Sequence, residues 1–327
     1  MKSIDLHCDT LLKAFMEGYQ DLYDMDTMSP PGKLEKGNYM AQCYAIFMPS
    51  VDTKMPDGLV MPSDEEYIAA LHRILMNTIE RHSDRFALAR SVADLDANAA
   101  AGKLSAILTI EDGRAVQGKM ENLERFYNMG ARMLGLTWNY PNCFGQSTTK
   151  DASLMAVGLT DFGKSAVERM NEMGMAVDVS HLSDGGFWDV VDICKKNGKP
   201  FAASHSNCRS LSAHQRNLTD EMIRALADCG GVSGLNYCPN FLNEDITCKN
   251  STAALIARHA RYMADKGGVD CVALGSDFDG ITGTFEVAGA DEMYKVFAAL
   301  EKEGFTQSEI EKIAWRNVRR FFGDAIG

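Results

Sequence analysis

Eight short apolar runs alternate with longer stretches of helical periodicity, and this alternation limits the folds open to the 327-residue chain. Most of the runs are nearly continuous in apolar residues, which is typical of strands buried on both faces. Two capping boxes, Ser63 with Glu66 and Thr306 with Glu309, predict where two of the intervening helices begin. The runs are residues 4–9, 42–47, 106–110, 131–136, 175–179, 201–203, 231–235 and 271–274.

Eight strands that alternate with helices in a chain of this length predict a single α/β domain over residues 1–327, a (β/α)8 TIM-type barrel. A doubly wound open sheet is the alternative. It usually has a glycine-rich turn after its first strand, where this chain has His7, Cys8 and Asp9. The stretch 49–103 is longer than one helix requires, so we expect an additional element there.

The charge balance and the cysteines restrict the partners and the compartment. The formal net charge is −12, which argues against nucleic acid or an anionic membrane as a partner and suits divalent cations. No run of about 18 apolar residues could span a bilayer, and no secretory signal opens the sequence. Nine cysteines without metal-binding or redox spacing indicate neither a disulfide framework nor a thiolate zinc site. We therefore expect a protein of the reducing cytoplasm.

Side chains that bind metals follow several of the runs. In a barrel the chemistry lies at the C-terminal ends of the strands, and side chains two apart on a strand project the same way. Four further histidines, His72, His82, His214 and His259, fall in helical or loop patterns, where we expect solvated or capping roles. The candidates at strand ends are His7, Asp9, Glu111, His181, His205, Asp277 and Asp279.

Each candidate also has a simpler structural interpretation. Glu111 could cap the next helix, and His181 and His205 could form local hydrogen bonds. The two aspartates that follow the eighth run, Asp277 and Asp279, could be turn residues. Chance placement of all of them at one end of a barrel is much rarer than any single case. Three imidazoles with several carboxylates exceed what one tetrahedral zinc with an open position needs. The set suits two metal ions around a shared water nucleophile, with Glu111 as the bridging carboxylate.

Six motifs in this order resemble those of the membrane (renal) dipeptidase family, zinc peptidases with an amidohydrolase-like barrel. The resemblance extends from residue 4 to about residue 321, where segment 315–321 is similar to the family's closing helix. The motifs are Asp5-Leu6-His7-Cys8-Asp9-Thr10, Ile110-Glu111-Asp112-Gly113, Asp178-Val179-Ser180-His181-Leu182-Ser183, Ser204-His205-Ser206, Gln215-Arg216-Asn217-Leu218-Thr219-Asp220 and Gly275-Ser276-Asp277-Phe278-Asp279-Gly280.

The resemblance implies a binuclear centre of two Zn2+ ions per chain and a role for each site residue. Arg216 would pair with the free C-terminal carboxylate of a dipeptide, and Asp277 would carry the proton of the bridging water. The resemblance also implies a homodimer and tolerance of a D-residue at the C-terminal position. The implied ligands are His7 and Asp9 for one zinc, His181 and His205 for the other, and Glu111 between them.

One position departs from the family pattern. Better-known members have a histidine after Leu-Thr that contacts the substrate near the scissile bond, whereas this chain has Trp138 after Leu136 and Thr137. An indole N–H donates one hydrogen bond but cannot carry a proton. We expect Trp138 to contact the substrate, and we expect carbonyl polarisation to depend more on the metals.

The expected function is hydrolysis of a dipeptide by a metal-bridged hydroxide, with Asp277 and Glu111 in the catalytic centre. Arg216 suits a bidentate contact with a terminal carboxylate, although from sequence alone a surface salt bridge is the simpler interpretation. A binuclear amidohydrolase for cyclic amides, lactams or N-acyl amino acids is one alternative. A catalytically silent dipeptide-binding protein is the other.

Overall fold

Strands and helices alternate along the chain, as the sequence predicts. The structure, a computed structural model, describes residues 1–50 and 61–327. Its strands are β1 (Ser3–Cys8), β2 (Tyr39–Phe47), β3 (Phe86–Leu88), β4 (Leu104–Glu111), β5 (Met133–Gly135), β6 (Ala176–Asp178), β7 (Ala202–Ala203), β8 (Val232–Leu235), β9 (Asn250–Ser251), β10 (Val272–Leu274) and β11 (Thr284–Phe285). Its α-helices are α1 (Thr10–Glu17), α2 (Pro31–Lys36), α3 (Asp64–Arg81), α4 (Val92–Ala100), α5 (Met120–Met129), α6 (Ala152–Met155), α7 (Asp161–Met173), α8 (Asp184–Asn197), α9 (Asp220–Asp228), α10 (Pro239–Leu242), α11 (Ala253–Gly267), α12 (Tyr294–Lys302), α13 (Gln307–Glu311) and α14 (Asn317–Ile326).

Eight parallel strands of the described residues close into a barrel. Around the ring their order is β1, β2, β4, β5, β6, β7, β8 and β10, and β10 pairs again with β1. These are the eight runs found in the sequence, with ends shifted by at most three residues. The (β/α)8 prediction is confirmed, and the doubly wound alternative is wrong because the sheet has no open edge within the ring.

Additional strands lie outside the ring. The short strand β3 pairs in parallel with the first half of β4, in register from Phe86 with Leu104 to Leu88 with Ala106. It falls in the stretch 49–103, where the sequence predicts an additional element. Residues 51–60 of that stretch lie outside the described residues. A second sheet of two residues per strand joins β9 to β11.

The barrel interior is filled by one apolar cluster, to which each of the eight strands contributes. Ile4 and Leu6 of β1 and Ile107 of β4 belong to it, as do Met133, the first residue of β5, and Val232, the first residue of β8. The cluster continues onto four residues of α14, so this last helix covers the N-terminal end of the ring. The opposite, C-terminal end remains for polar side chains. The residues of α14 are Val318, Phe321, Phe322 and Ala325.

Both predicted capping boxes are present. The Ser63 hydroxyl accepts a hydrogen bond from the N–H of Glu66, while the Glu66 carboxylate accepts one from the N–H of Ser63. The helix α3 starts directly after Ser63. Thr306 and Glu309 make the same pair of bonds before α13. Between α13 and α14 the chain forms one π-helical turn, Lys312–Arg316.

The sequence predicts neither a disulfide framework nor a membrane-spanning segment. All nine cysteines lie among the described residues and are free thiols. Within residues 1–50 and 61–327, no helix combines the length and apolar character that crossing a bilayer requires.

Candidate metal centre

Five predicted ligands meet at the C-terminal end of the barrel, and all five are buried. His7 lies on β1 and Asp9 directly follows it. Glu111 is the last residue of β4, and His181 and His205 follow the ends of β6 and β7 by three and two residues. Because parallel strands present their carboxyl ends at one rim, residues nearly 200 positions apart come into contact.

The strand β1, which contains His7 and precedes Asp9, is irregular. The pairing of β1 with β2 shifts register between Asp5 and Cys8, which is typical of a β-bulge. Leu6 packs in the barrel interior, yet the side chain of the next residue, His7, also reaches the centre. The bulge thus lets two consecutive side chains of one strand point inward.

The carboxylate of Glu111 lies between the two ligand groups. Its Oε2 is 3.3 Å from Nε2 of His7. Its Oε1 is 3.0 Å from Nε2 of His181 and 3.6 Å from Nε2 of His205. Each carboxylate oxygen therefore faces one ligand group, the arrangement that a bridging carboxylate requires. Glu111 forms no cap of the following helical turn, where the N-cap contact comes from Asp112.

The donor atoms fit divalent cations. Nε2 of His181 lies only 3.0 Å from Nε2 of His205, so the two imidazoles converge on one point. Nε2 of His7 and Oδ1 of Asp9 are buried and have no hydrogen-bond partner among the described residues. A buried polar atom without a partner is costly, and a cation at the centre would satisfy these atoms. Imidazole nitrogens with carboxylate oxygens are the ligands that zinc and similar ions bind.

The distal nitrogens of the two converging imidazoles are held by polar side chains. Nδ1 of His181 lies 3.2 Å from Oδ1 of Asn139, and Nδ1 of His205 lies 2.7 Å from Oγ of Ser204. An amide oxygen can only accept, so Nδ1 of His181 carries the hydrogen and its Nε2 has the lone pair that binds a metal. Outer contacts of this type orient histidine ligands in metalloproteins.

The two aspartates that follow the eighth predicted run, Asp277 and Asp279, have different environments. Oδ1 of Asp277 is 3.9 Å from Nε2 of His7, and its Oδ2 accepts a hydrogen bond of 2.8 Å from Nδ2 of Asn236. The carboxylate of Asp279 instead accepts bonds from Thr10 Oγ1 and the Met28 N–H. Both aspartates adopt a positive φ, as turn residues do. Asp279 therefore holds neighbouring loops, whereas Asp277 faces the centre.

Burial and mutual charge shift the pKa values at this centre. Burial, reinforced by the charge of Glu111, raises the pKa of Asp9 to about 6. Burial also raises the pKa of Asp277 to about 7, with His7 opposing the shift and the neighbouring carboxylates adding to it. Burial works against a charged His7, but Glu111 and Asp9 outweigh it and hold the pKa of His7 well above its ordinary value. Burial and the charge of Arg216 lower the pKa of His181 to about 4. A divalent cation would relieve the concentration of negative charge.

Arg216 is a buried cation beside the centre, with 4% of its surface exposed. Its guanidinium donates to Ser206 Oγ at 3.3 Å and to the carbonyl oxygen of His205 at 3.4 Å. Where the structure describes the chain, its Nε has no hydrogen-bond partner and no carboxylate lies within ion-pair distance of the guanidinium. Burial lowers its pKa to about 10. The surface salt-bridge interpretation is therefore wrong.

A cavity of about 650 Å³ opens over the centre and includes Asp9, Glu111, Arg216 and Asp277 in its walls. Trp138, expected to contact the substrate, also lines it. Sequence reasoning missed several of the other wall and supporting residues. Phe47 ends β2 and Asn236 directly follows β8, so examining every strand end for all residue types would have found both. Asn139 and His214 carried no signal of this kind.

Of the two roles expected for His259, solvation is wrong. This side chain is fully buried on α11, where Nδ1 accepts the N–H of Cys208 and Nε2 donates to the carbonyl of Leu242. His82 occupies the C-cap position of α3 through its backbone N–H, and its side chain contacts the carboxylate of Asp21 at 2.9 Å.

Comparisons with known sequences identify a family. The sequence profile of the membrane dipeptidase family, peptidase family M19, matches residues 1–326. An uncharacterized protein from the pqqA 5′ region of Klebsiella pneumoniae is 34% identical over 248 residues, which cover 75% of this chain and 90% of that protein. The dipeptidase verJ of Clonostachys rogersoniana is 28% identical over 294 residues, 88% of this chain and 73% of that protein.

Solved structures give the same result. The metallopeptidase dipeptidase AC of family M19 superposes with a TM-score of 0.88 at 25% identity and covers 100% of this chain and 99% of its own. A metallopeptidase from Rhodobacter sphaeroides, liganded with a phosphinate mimic of the dipeptide L-Ala-D-Ala, superposes with a TM-score of 0.87 at 25% identity, with 99% of each chain covered. The protein therefore belongs to the membrane dipeptidase family, peptidase family M19, and is a metallopeptidase that hydrolyses peptide bonds.

Proposed function

We propose that the protein hydrolyses dipeptides with two zinc ions, His7 and Asp9 holding one, His181 and His205 the other, and Glu111 bridging them. One observation carries the proposal: the two oxygens of Glu111 face the two ligand groups, at 3.3 Å from His7 and 3.0 Å from His181. When bound, the two ions lower the pKa of a water molecule toward neutrality and polarise the scissile carbonyl. The residues of the chain position the substrate and move its protons.

Arg216 binds the free C-terminal carboxylate of the dipeptide. Its guanidinium is buried, and among the described residues it has neither an anionic partner nor a hydrogen bond at Nε, so a carboxylate supplied by the substrate completes its hydrogen bonds. A longer peptide would put a neutral amide at this position and leave a buried positive charge unpaired. The protein therefore prefers dipeptides to internal peptide bonds.

Asp277 accepts the proton of the nucleophilic water and transfers it to the leaving amine. Its Oδ1 faces His7, and the Asn236 amide fixes the orientation of the carboxylate through Oδ2. One oxygen is thus held while the other is free to exchange a proton at the centre.

A D-residue is accepted at the C-terminal position of the substrate. The R. sphaeroides metallopeptidase, which is similar over the whole chain, binds a mimic of L-Ala-D-Ala. N-acyl amino acids are the second candidate substrates, because they present the same carboxylate to Arg216 and require the same bond cleavage.

The decisive experiment combines metal analysis with a substrate panel. We expect metal-free protein to regain activity with two Zn2+ per chain and to cleave dipeptides of varied chirality faster than matched N-acyl amino acids and lactams. Glu111→Gln should lose bound metal and activity together. Glu35→Gln, which changes a carboxylate paired with Tyr23 and Arg85, should keep both. Zinc-loaded protein that binds dipeptides but cleaves none of them would refute the proposal.

We further propose a cytoplasmic location and a homodimer. Nine free cysteines support a reducing compartment. Light scattering on the zinc-loaded protein measures its oligomeric state.

A further inference from the structure

Two aromatic side chains form one wall of the cavity. Phe47 is the last residue of β2, and Trp138 lies three residues after the end of β5. Their ring centroids are 4.8 Å apart and the rings are inclined by 70°, an edge-to-face contact. Both line the cavity over the metal centre. We call this pair, Phe47 and Trp138, the aromatic wall.

The aromatic wall stands beside the bridging glutamate. In the barrel, β4 is paired with β2 on one side and with β5 on the other. Phe47 is the register partner of Glu111 on β2, and register partners project from the same face of a sheet. Trp138 extends from the other neighbouring strand, and its ring centroid lies 6.2 Å from that of His181. The wall therefore borders the point at which the scissile bond must lie.

Arg216 lies across the ring from Phe47. It contacts Ser206 and the carbonyl of His205, both of which follow β7. In the closed order of eight strands, β7 is four positions from β2, which ends at Phe47, and two positions from β5, which precedes Trp138. A dipeptide with its carboxylate on Arg216 and its carbonyl beside Glu111 therefore extends its N-terminal residue toward Phe47 and Trp138.

From this arrangement we infer that the aromatic wall binds the side chain of the N-terminal residue and that the protein prefers dipeptides whose first residue is large and apolar. This inference rests on the proposed function. The wall presents two aromatic surfaces and no charged group, so it gains contact area from leucine, methionine or phenylalanine and offers no counter-ion to lysine or aspartate. A cavity of about 650 Å³ has room for such side chains.

The test is kcat/KM for dipeptides that share one C-terminal residue and differ in the first. We expect dipeptides beginning with Leu or Phe to exceed the one beginning with Gly by roughly tenfold or more. Trp138→Ala should lower kcat/KM for the Leu and Phe substrates about tenfold more than for the Gly substrate. Trp138 is half-buried, so this variant tests the wall with little change to the core.

Two further variants keep the test independent of folding. Phe47 is 6% exposed and packs at a strand end, so Phe47→Leu is preferred to Phe47→Ala. Trp138→Phe should retain most of the preference for a large apolar first residue. The matched control is Trp188→Ala on α8, because this indole is 41% exposed and does not line the cavity. It should leave the whole panel unchanged.

Four outcomes contradict the inference. An equal loss on all substrates in Trp138→Ala would assign the indole to the chemistry rather than to side-chain recognition. In a second series that shares the first residue and varies the C-terminal one, a loss in Trp138→Ala that follows the size of the C-terminal side chain would reverse the orientation. Cleavage of dipeptides without any preference for a large apolar first residue would overturn the inference alone, whereas cleavage of none would overturn the proposed function with it.

Discussion

The hydroxyl oxygen of Ser204 lies 2.7 Å from Nδ1 of the His205 imidazole. The same hydroxyl lies 2.5 Å from Oδ2 of Asp178, and an ionised carboxylate can only accept. Ser204 therefore donates its one O–H hydrogen bond to Asp178 and accepts a hydrogen bond from Nδ1–H of His205. Nε2 of His205 is left with a lone pair that faces Glu111 at 3.6 Å. The serine thus fixes the tautomer in which His205 can bind a cation.

Replacing Ser204 with Ala should weaken zinc binding by about 10- to 100-fold, because His205 loses the partner that sets its tautomer and ring orientation. Competition with a chromophoric chelator measures this affinity, and the far-UV spectrum checks that the barrel is intact.

Ser105→Ala is the matched control for that variant. Ser105, like Ser204, is fully buried. It lies on β4, where its hydroxyl accepts a hydrogen bond from Asn98 and contacts none of the candidate metal ligands. Unchanged zinc affinity in Ser204→Ala, or an equal loss in Ser105→Ala, would remove the role assigned to Ser204.

Replacing Arg216 with Ala should lower kcat/KM for a dipeptide with a free carboxylate by roughly a hundredfold, mainly through KM. The reason is that the buried guanidinium pairs with no carboxylate in residues 1–50 and 61–327, so its interaction energy goes to the substrate. The same dipeptide with a C-terminal amide serves as the control substrate. If the amide loses as much activity as the acid, Arg216 does not recognise the carboxylate.

Replacing Asp277 with Asn should reduce kcat by about 10²- to 10⁴-fold while leaving two metal ions bound. The side-chain amide keeps an oxygen that can accept the Asn236 hydrogen bond, so the orientation survives and only proton transfer is lost. Metal content by mass spectrometry and kcat on the best dipeptide are the two measurements. Loss of one ion together with activity would instead identify Asp277 as a ligand.

The sequence predicted the barrel and the positions of the candidate ligands for the same physical reason. Strands buried on both faces are apolar throughout, so a polar residue at the end of such a run, like Glu111 or His205, stands out. The three-residue strand β3 lies in a short apolar run, residues 86–89, but it pairs only with the first half of β4 and stands outside the ring, so the run does not show whether it is a barrel strand. The strands β9 and β11 are two residues long, too short for any periodicity.

Burial away from the strands could not be predicted from local patterns. Arg216 lies in a loop, and only the tertiary structure puts its guanidinium against residues that follow β7. His259 lies within a helical pattern whose buried face depends on how α11 packs. Periodicity identifies that a helix has an apolar face, but it does not specify whether a histidine near the edge of that face meets water or backbone.

His259 makes two hydrogen bonds that only the neutral imidazole can make together. Nδ1 accepts the N–H of Cys208 at 3.1 Å, and Nε2–H donates to the carbonyl of Leu242 at 3.0 Å. Protonation of Nδ1 would break the first bond and bury a charge. Burial accordingly lowers the pKa of His259 to about 4, below the value of about 6.5 expected in the unfolded chain.

His259 should therefore make the fold less stable in acid. Between pH 6.5 and about 4 the unfolded chain takes up a proton that the folded chain refuses, so the contribution of His259 is fully present above pH 6.5 and is lost as the pH falls. Over this range the loss amounts to about 3 kcal/mol. We expect the difference in the free energy of unfolding between wild type and His259→Gln, measured with urea at fixed zinc, to shrink from pH 7 to pH 4.5. Other groups that titrate in both proteins cancel in the difference, so a difference that stays constant with pH would mean that His259 does not resist protonation in the folded state.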